Sequence, residues 1–121
     1  EAIPSTTPIR TALRTAREAS KGRRSGALLL TDDRGVLEGI MTDGDLRRLL
    51  LDNPEAIDGP AAESMTKNPR TLQEDQPLRE AERLVRTHRV DEIPIVDAEG
   101  RPVGLLDVQD LITLKVVRDR S

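Results

Sequence analysis

The sequence predicts an α+β fold of two pseudo-twofold-related β-α-β-β-α repeats that pack through their sheets. Two observations predict it. Residues 28–49 align without gaps on residues 93–114 at a constant shift of 65 positions, which is the signature of an internal repeat. Each half, at about 60 residues, has too little apolar surface to be stable alone, whereas two halves can bury a shared sheet face. We expect residues 1–59 to form the first repeat and residues 60–121 the second.

Each helix and strand is predicted once in each repeat. Apolar residues recur at helical spacing after Pro8 and after Pro77, and proline suits the first turn of a helix. Short apolar runs predict strands, and the Asp- and Gly-containing segments between them predict hairpin turns. Residues 53–60 have the Pro, Gly and Asp content of a linker, and residues 63–66 open the second repeat. The predicted helices cover 9–16, 43–51, 78–85 and 108–117, and the predicted strands cover 27–30, 36–41, 93–96 and 102–106.

Composition excludes several classes of function. The 121 residues include no cysteine and a single histidine, His88, so disulfides and thiolate or histidine-rich metal sites are not expected. The 19 basic and 22 acidic residues are interspersed and aromatic residues are absent, which disfavours a nucleic-acid surface. No apolar run approaches the roughly 20 residues of a membrane helix, and no signal peptide is apparent. We expect a fragment of a longer cytoplasmic protein, with no cofactor and no nucleic-acid or membrane partner.

The segment GIMTDGDLRR, residues 39–48, ends a strand and begins a helix. Thr42 as N-cap with Asp45 three residues later approximates a capping box, which stabilises a helix by about 1 kcal/mol and requires no ligand. The same geometry suits a ligand, because the free N–H groups of a helix N-terminus and the Thr42 hydroxyl can bind a phosphate. Asp45 would then accept hydrogen bonds from two ribose hydroxyls. The residues alone leave both interpretations open.

Other charged groups are weaker candidates. Asp32 and Asp33, together with Asp43 and Asp45, could suggest a magnesium site. Asp32, however, lies in a predicted turn, where its side chain caps the main chain. Arg47 and Arg48 are typical of a solvated helix face, with assistance to an anionic ligand as the alternative. We therefore expect no metal site.

The order of these motifs resembles a CBS domain. Residues 63–112, from ESMTKNPR to GLLDVQDLI, contain a Met-Thr opening strand, an amphipathic helix, a Pro-containing strand ending in Asp, a turn Gly, a Gly-containing strand and a final Asp-Leu. The whole chain is similar to a tandem CBS pair. GIMTDGDLRR is similar to the corresponding stretch in the C-terminal CBS pair of bacterial arabinose 5-phosphate isomerases, where the pair follows an N-terminal sugar isomerase (SIS) domain.

The resemblance implies a ligand site in the first repeat. In the CBS family, a Thr or Ser followed three positions later by Asp contacts phosphate and ribose, and these positions are Thr42 and Asp45 here. The base or sugar lies near the start of the second strand in family members. This implies ligand contacts from Ala27, Leu28, Ile3 and Pro4.

The resemblance also implies a degraded site in the second repeat. Asp110 is retained there, but Asp107 stands where the hydroxyl belongs. Its carboxylate can still cap a helix, yet it repels an incoming phosphate. We expect this second site, with Ile93 and Pro94 at its strand, to be empty or to take an uncharged group.

Two functions follow from the resemblance and from the cap. The first is a regulatory module that binds an adenine nucleotide or a CMP-sugar and belongs to an isomerase converting ribulose 5-phosphate to arabinose 5-phosphate, as a homodimer. The second is a structural scaffold that holds an oligomer together and binds nothing. The fragment itself is not expected to be an enzyme, since it has no nucleophile paired with a base and no Gly-rich phosphate loop.

Overall fold

The computed structural model describes residues 2–20, 26–76, 78–88 and 92–107 and confirms the α+β fold of two repeats. The first repeat contains β1 (Ala2–Pro4), α1 (Ile9–Ser20), β2 (Ala27–Thr31), β3 (Leu37–Thr42) and α2 (Asp43–Asp52). Two short 3₁₀ turns, Pro54–Asp58 and Ala61–Glu63, and strand β4 (Thr66–Lys67) follow. The second repeat contains β5 (Leu72–Gln73), α3 (Leu78–His88), β6 (Glu92–Val96) and β7 (Pro102–Asp107). The helix predicted at 108–117 lies outside the described residues.

The two repeats have the same strand pairing. β1 runs parallel to β2 with Ile3 opposite Leu30, and β5 runs parallel to β6 with Leu72 opposite Ile95. The hairpins β2–β3 and β6–β7 are antiparallel, and their registers shift immediately after Leu30 and after Ile95, which are aligned positions. The repeat found in the sequence is therefore also a repeat of backbone geometry.

The hairpin turns also match in detail. Asp32 Oδ1 accepts hydrogen bonds from the main-chain N–H groups two and four residues later, at 2.8 and 3.0 Å. Asp97 Oδ1 makes the equivalent pair at 2.9 and 3.0 Å. Gly35 and Gly100 both have φ of 83°, a conformation that glycine adopts without the steric cost of a Cβ. Each Asp therefore stabilises the turn that its sequence predicts.

Strand β2 separates two apolar environments because its side chains alternate between the faces of the sheet. Leu28 and Leu30 are buried in the core that the first repeat builds against α1 and α2. Ala27 and Leu29 point the other way, where they share an apolar cluster with Leu105 of the second repeat. Burial of a leucine side chain stabilises a fold by about 1.5–3 kcal/mol. The two sheets thus pack face to face, as the repeat predicts.

Strand β4 follows the residues predicted to open the second repeat, yet it belongs to the first sheet. It pairs with β3, with Thr66 opposite Ile40 and Lys67 opposite Gly39, and so forms an edge of the first sheet. The side chain of Met65 is buried in the core of the first repeat, which holds the strand in this position. The division at residues 59 and 60 stays a prediction.

Candidate ligand clefts between the repeats

The predicted capping box is confirmed at the start of α2. Thr42 Oγ1 accepts a hydrogen bond from the main-chain N–H of Asp45 at 3.1 Å. Asp45 Oδ2 in turn accepts one from the main-chain N–H of Thr42, also at 3.1 Å. Both side chains are half-buried. The two residues are therefore fixed in position before any ligand is considered.

Arg48 completes this arrangement. Its Nη2 donates to Asp45 Oδ1 at 2.7 Å, so the carboxylate of Asp45 is engaged through both oxygens. The guanidinium lies close to Gly44, where a Cβ would be 3.5 Å from Nη1. Its positive charge is thus held along the first turn of α2 and is balanced by Asp45. A carboxylate offers about four lone-pair sites, so Asp45 retains acceptor capacity for further hydroxyl donors.

The second repeat contributes Glu92 beside the same helix start. The carbonyl of Gly26 accepts a hydrogen bond from the main-chain N–H of Asp43, the first residue of α2, at 3.1 Å. The carboxylate of Glu92 is packed on Gly26 so closely that a Cβ there would lie 2.6–2.9 Å from it. Glu92 Oε2 is buried, although the residue as a whole is half-exposed. These contacts bring five residues together at the start of α2. We call the surface that they form the α2 cleft; its residues are Gly26, Thr42, Asp45, Arg48 and Glu92.

Sequence reasoning did not identify Glu92 as a site residue. A signal for it exists, because the shift of 65 places Glu92 on Ala27, so a charged residue stands in the second repeat where the first has a buried alanine. The sequence does not show that the side chain of Glu92 reaches across the interface to Gly26 of the first repeat.

A separate cavity of about 190 Å³ lies between β2 and β7. We call it the β7 cavity, and neither Thr42 nor Asp45 lines it. It combines residues of β1 and β2 with the strand that ends at Asp107, so both repeats contribute to it. Its lining residues are Ala2, Ala27, Leu29, Pro102, Val103, Gly104 and Leu105.

A wider and more open cavity of about 710 Å³ continues from the β7 cavity towards the hairpin turns, and the two share Ala2 and Pro102. Pro4 lines it, together with Asp32, Asp33 and Arg101. Arg101 Nε donates to the main-chain carbonyl of Arg34 at 3.3 Å, which joins the two turns. The lining of this larger cavity combines apolar residues with the charged groups of the two turns.

The predicted site residues of the first repeat therefore divide into groups. Thr42 and Asp45 lie in the α2 cleft, whereas Ala27 lines the β7 cavity, although it is also the cross-strand neighbour of Thr42. The side chains of Ile3 and Leu28 are buried in the first core and face neither cavity. The assignment of these residues to a ligand stays a prediction.

The residues predicted for the second site are similarly divided. Ile93 is buried in the core of the second repeat, and Pro94 is fully buried. Asp107 ends β7, directly opposite Glu92 in the β6–β7 pair. Asp110 lies outside the described residues, as do residues 21–24 and the side chain of His88.

Two further observations concern metals and membranes. Among the residues that the structure describes, no three His, Cys, Asp or Glu side chains come together as a metal site. Asp32 uses one carboxylate oxygen to cap its own turn. Within the same ranges, no helix has the length and apolar character needed to span a bilayer.

The fold defines a class of protein, a tandem of two small α+β modules that pack through their sheets. The family model for the CBS domain matches residues 1–52 and 61–116, once for each repeat. This chain belongs to the CBS domain family.

Arabinose 5-phosphate isomerases are among its relatives. The chain is 36% identical over 85 residues to the isomerase KpsF of Escherichia coli, covering 70% of this chain and 26% of the relative. It is 33% identical over 92 residues to KdsD of Pseudomonas aeruginosa, covering 76% and 28%. It is also 36% identical over 97 residues to the inosine-5′-monophosphate dehydrogenase of Aquifex aeolicus, covering 79% and 19%. The chain spans about a quarter of the length of these isomerases.

Two solved structures superpose on most of the chain. The CBS domain pair of protein MJ0100, in complex with 5′-methylthioadenosine and S-adenosyl-L-methionine, has a TM-score of 0.79 at 25% identity, covering 97% of this chain and 88% of that one. The cytosolic domain of the Mg²⁺ channel MgtE, in complex with ATP, has a TM-score of 0.76 at 26% identity, covering 93% and 44%. Both neighbours hold adenosine compounds.

Proposed function

We propose that this chain is the regulatory module of a sugar-phosphate isomerase of the arabinose 5-phosphate type, and that its α2 cleft binds an adenosine-type ligand. The observation that carries the proposal is the position of Thr42 and Asp45, which stand at a helix N-terminus where the two repeats meet. The relatives support the parent enzyme, and the ligands of the structural neighbours support the adenosine class. A CMP-sugar is the competing ligand within the same proposal.

The ribose is the part of the ligand that this cleft recognises best. Two vicinal hydroxyls can donate to Asp45, whose carboxylate keeps acceptor capacity beside its bonds to Thr42 and Arg48. Because the capping box fixes Asp45, little side-chain entropy remains to be lost on binding. The 5′ end of the ligand would then lie towards the Thr42 hydroxyl and the first N–H groups of α2.

The base would lie between the repeats. Ala27 is directly opposite Thr42 in the β2–β3 pair, and its small side chain faces the second repeat, which supports a contact with the base. Leu28 and Ile3 direct their side chains into the first core, so only their main chain could meet a ligand. Pro4 borders the open cavity and would contact only a ligand that extends that far.

Regulation follows if ligand binding changes how the two repeats pack. Residues of both repeats border the α2 cleft, so a ligand there would contact Asp45 and Glu92 at once and favour one relative position of the two sheets. For this to regulate a catalytic domain, the ligand must bind two states with different affinity. Under this proposal the catalytic chemistry belongs to an SIS domain of the parent chain, which acts as a cytoplasmic homodimer.

A ligand-free scaffold is the second candidate function. The observation that favours it is the complete capping box, since Thr42 and Asp45 satisfy each other without a ligand. In that case the module would serve only to hold subunits together.

Thermal unfolding followed by circular dichroism separates the two candidates, because the chain has no Trp or Tyr for fluorescence. A ligand at 100 times its Kd stabilises a fold by about 2.7 kcal/mol, which raises Tm by several degrees in a domain of this size. We expect such a rise with adenosine, AMP, ATP or CMP-Kdo and its loss in Asp45→Ala. That variant should also be destabilised by about 1 kcal/mol through the lost cap.

The matched control is Asp52→Ala, which removes an exposed Asp from the last residue of the same helix. It should keep the rise in Tm. If none of the four compounds shifts the wild-type transition, the scaffold function holds and the proposed sensor function does not.

A further inference from the structure

The two sheets differ at one edge. In the first sheet, β4 pairs with the outer edge of β3, and the main-chain N–H of Asn68 donates to the carbonyl of Glu38 at 3.2 Å. In the second sheet, β7 occupies the position of β3, and none of the described strands pairs with its outer edge. An edge of this kind presents main-chain N–H and C=O groups to which a further strand can bind.

The side chains of β7 are also less covered than those of β3. Met41 is fully buried and Ile40 is buried, whereas the aligned residues of β7, Leu106 and Leu105, are only half-buried. Val103 on the same strand is 52% exposed. The apolar side chains of β7 therefore leave surface for a further apolar group to cover.

Met65 supplies part of the cover of β3. Its side chain is buried in the first core and lies so close to Gly39 that a Cβ there would contact its sulfur. Gly104 is the aligned glycine of β7, and within the part of the chain that the structure describes, a Cβ on it would meet only Ile95, at 3.7 Å or more. In that part of the chain, the space that Met65 fills on β3 is open on β7.

The internal repeat indicates which segment corresponds to β4. β5 pairs with β6 in the register in which β1 pairs with β2, with Leu72 and Ile3 in corresponding places, so the shift at these strands is 69 positions. Subtracting 69 from residues 66 and 67 places the counterpart of β4 on the third and fourth residues before position 1. Ala2, at the start of β1, lines the β7 cavity together with Gly104, so the main chain enters the first repeat beside β7.

We propose that the outer edge of β7 receives, as a fourth strand of the second sheet, the segment that precedes residue 1 in a longer parent protein. This occupant is a short extended segment with an apolar side chain over Gly104, as Met65 lies over Gly39. The proposal rests on the part of the proposed function that makes this chain a module of a longer protein, and it does not depend on a ligand. The chain spans about a quarter of the length of its isomerase relatives, which leaves room for such a segment.

The proposal has a consequence for regulation. The connection to the preceding domain would be a strand of the second sheet, not a free tether. A change in how the two sheets pack would therefore move that connection directly.

The test joins to residue 1 the six residues Ser-Met-Thr-Lys-Asn-Pro, which the chain itself contains at 64–69, so that the shift of 69 gives them the register of β4. Asn is kept because Asn68 has φ of 53° where the main chain leaves β4, a conformation that Asn tolerates. We expect the extension to raise Tm by several degrees in circular dichroism without ligand. The same extension with aspartate in place of methionine should bring no rise, because it would place a charge against apolar side chains.

Gly104→Ala shows where the added strand lies. It should be close to neutral in the chain of 121 residues but should lower Tm by several degrees in the extended chain, because the added methionine would occupy the space of the Cβ. The control is Gly59→Ala, whose Cβ would lie 3.5 Å from the carbonyl oxygen of Ala56. It should change Tm equally in the two chains.

Three other outcomes would overturn the proposal. If the extension leaves Tm unchanged, the edge of β7 does not take this strand. If Tm rises but Gly104→Ala has the same effect in both chains, the extension binds elsewhere. If sedimentation shows a dimer that persists in the extended chain and is weakened by Gly104→Ala, the edge pairs with a second copy. Because no ligand is present, none of these outcomes affects the proposed adenosine site.

Discussion

The two repeats place different chemistry on the same backbone position. Ala27 faces Thr42 across the β2–β3 pair, whereas Glu92 faces Asp107 across the β6–β7 pair, and these pairs are aligned by the shift of 65. The first pair joins a small apolar side chain to a hydroxyl. The second joins two carboxylates. The difference teaches that a repeated scaffold can keep its backbone geometry while each copy carries different side-chain chemistry at the same position.

The second repeat also contributes to the surroundings of the first. Glu92 is packed on Gly26 of the first repeat, beside the helix start that Thr42 and Asp45 form. The residues around a helix start therefore come from both repeats.

The largest effect should come from Gly39 in β3 and Gly104 in β7, which are aligned positions of the two repeats. A Cβ on Gly39 would contact the sulfur of Met65 and lie 2.9 Å from the carbonyl oxygen of Thr66, because β4 crosses there. Among the described residues, a Cβ on Gly104 would meet only Ile95, at 3.7 Å or more. We expect Gly39→Ala to destabilise the fold by about 1–3 kcal/mol and Gly104→Ala to be close to neutral, as measured by urea unfolding. In the structure, β3 is paired with β4 at Gly39, whereas β7 has no second partner among the described strands. Equal losses in the two variants would contradict this difference.

A smaller effect should come from the acidic pair itself. Like charges directly opposite each other on neighbouring strands are destabilising, and relieving them contributes roughly 0.2–1 kcal/mol. Asp107→Thr gives the second repeat the residue of the first and keeps a side chain that can cap a helix. We expect a small gain in stability from it in thermal unfolding.

The control for this prediction is a double-mutant cycle. In the Glu92→Gln background, Asp107→Thr should bring no gain, because the repulsion is already absent. The same gain in both backgrounds would show that the two carboxylates do not interact.

Local features of the fold could be predicted from sequence because their causes are local. Pro8 and the spacing of the apolar residues after it predict α1. Asp32 and Gly35 predict the first hairpin turn, and the structure has the Asp cap and the positive φ that such a turn requires. The capping box of Thr42 and Asp45 follows from a spacing of three residues. Each of these involves contacts within a few positions along the chain.

The features that the sequence did not predict are all long-range. The Met-Thr strand was expected from the resemblance, but its pairing with β3 was not, and β4 joins the first sheet because Met65 is buried in the first core. The approach of Glu92 to Gly26 joins residues 66 positions apart, through the packing of one sheet on the other. The residues predicted for the candidate site all come from the first repeat, and the contribution of Glu92 from the second repeat required the structure.

The most direct test of the account is to locate the adenosine site by two-dimensional ¹H–¹⁵N NMR on the labelled chain, whose mass of 13.4 kDa suits the method. The account predicts that the largest amide shifts on titration with adenosine occur at Gly26, Thr42, Gly44, Asp45 and Glu92, with little change in β7. Shifts confined to β7 and to Ala2 and Leu29 would place the ligand in the β7 cavity instead, and the absence of any shift would contradict ligand binding altogether.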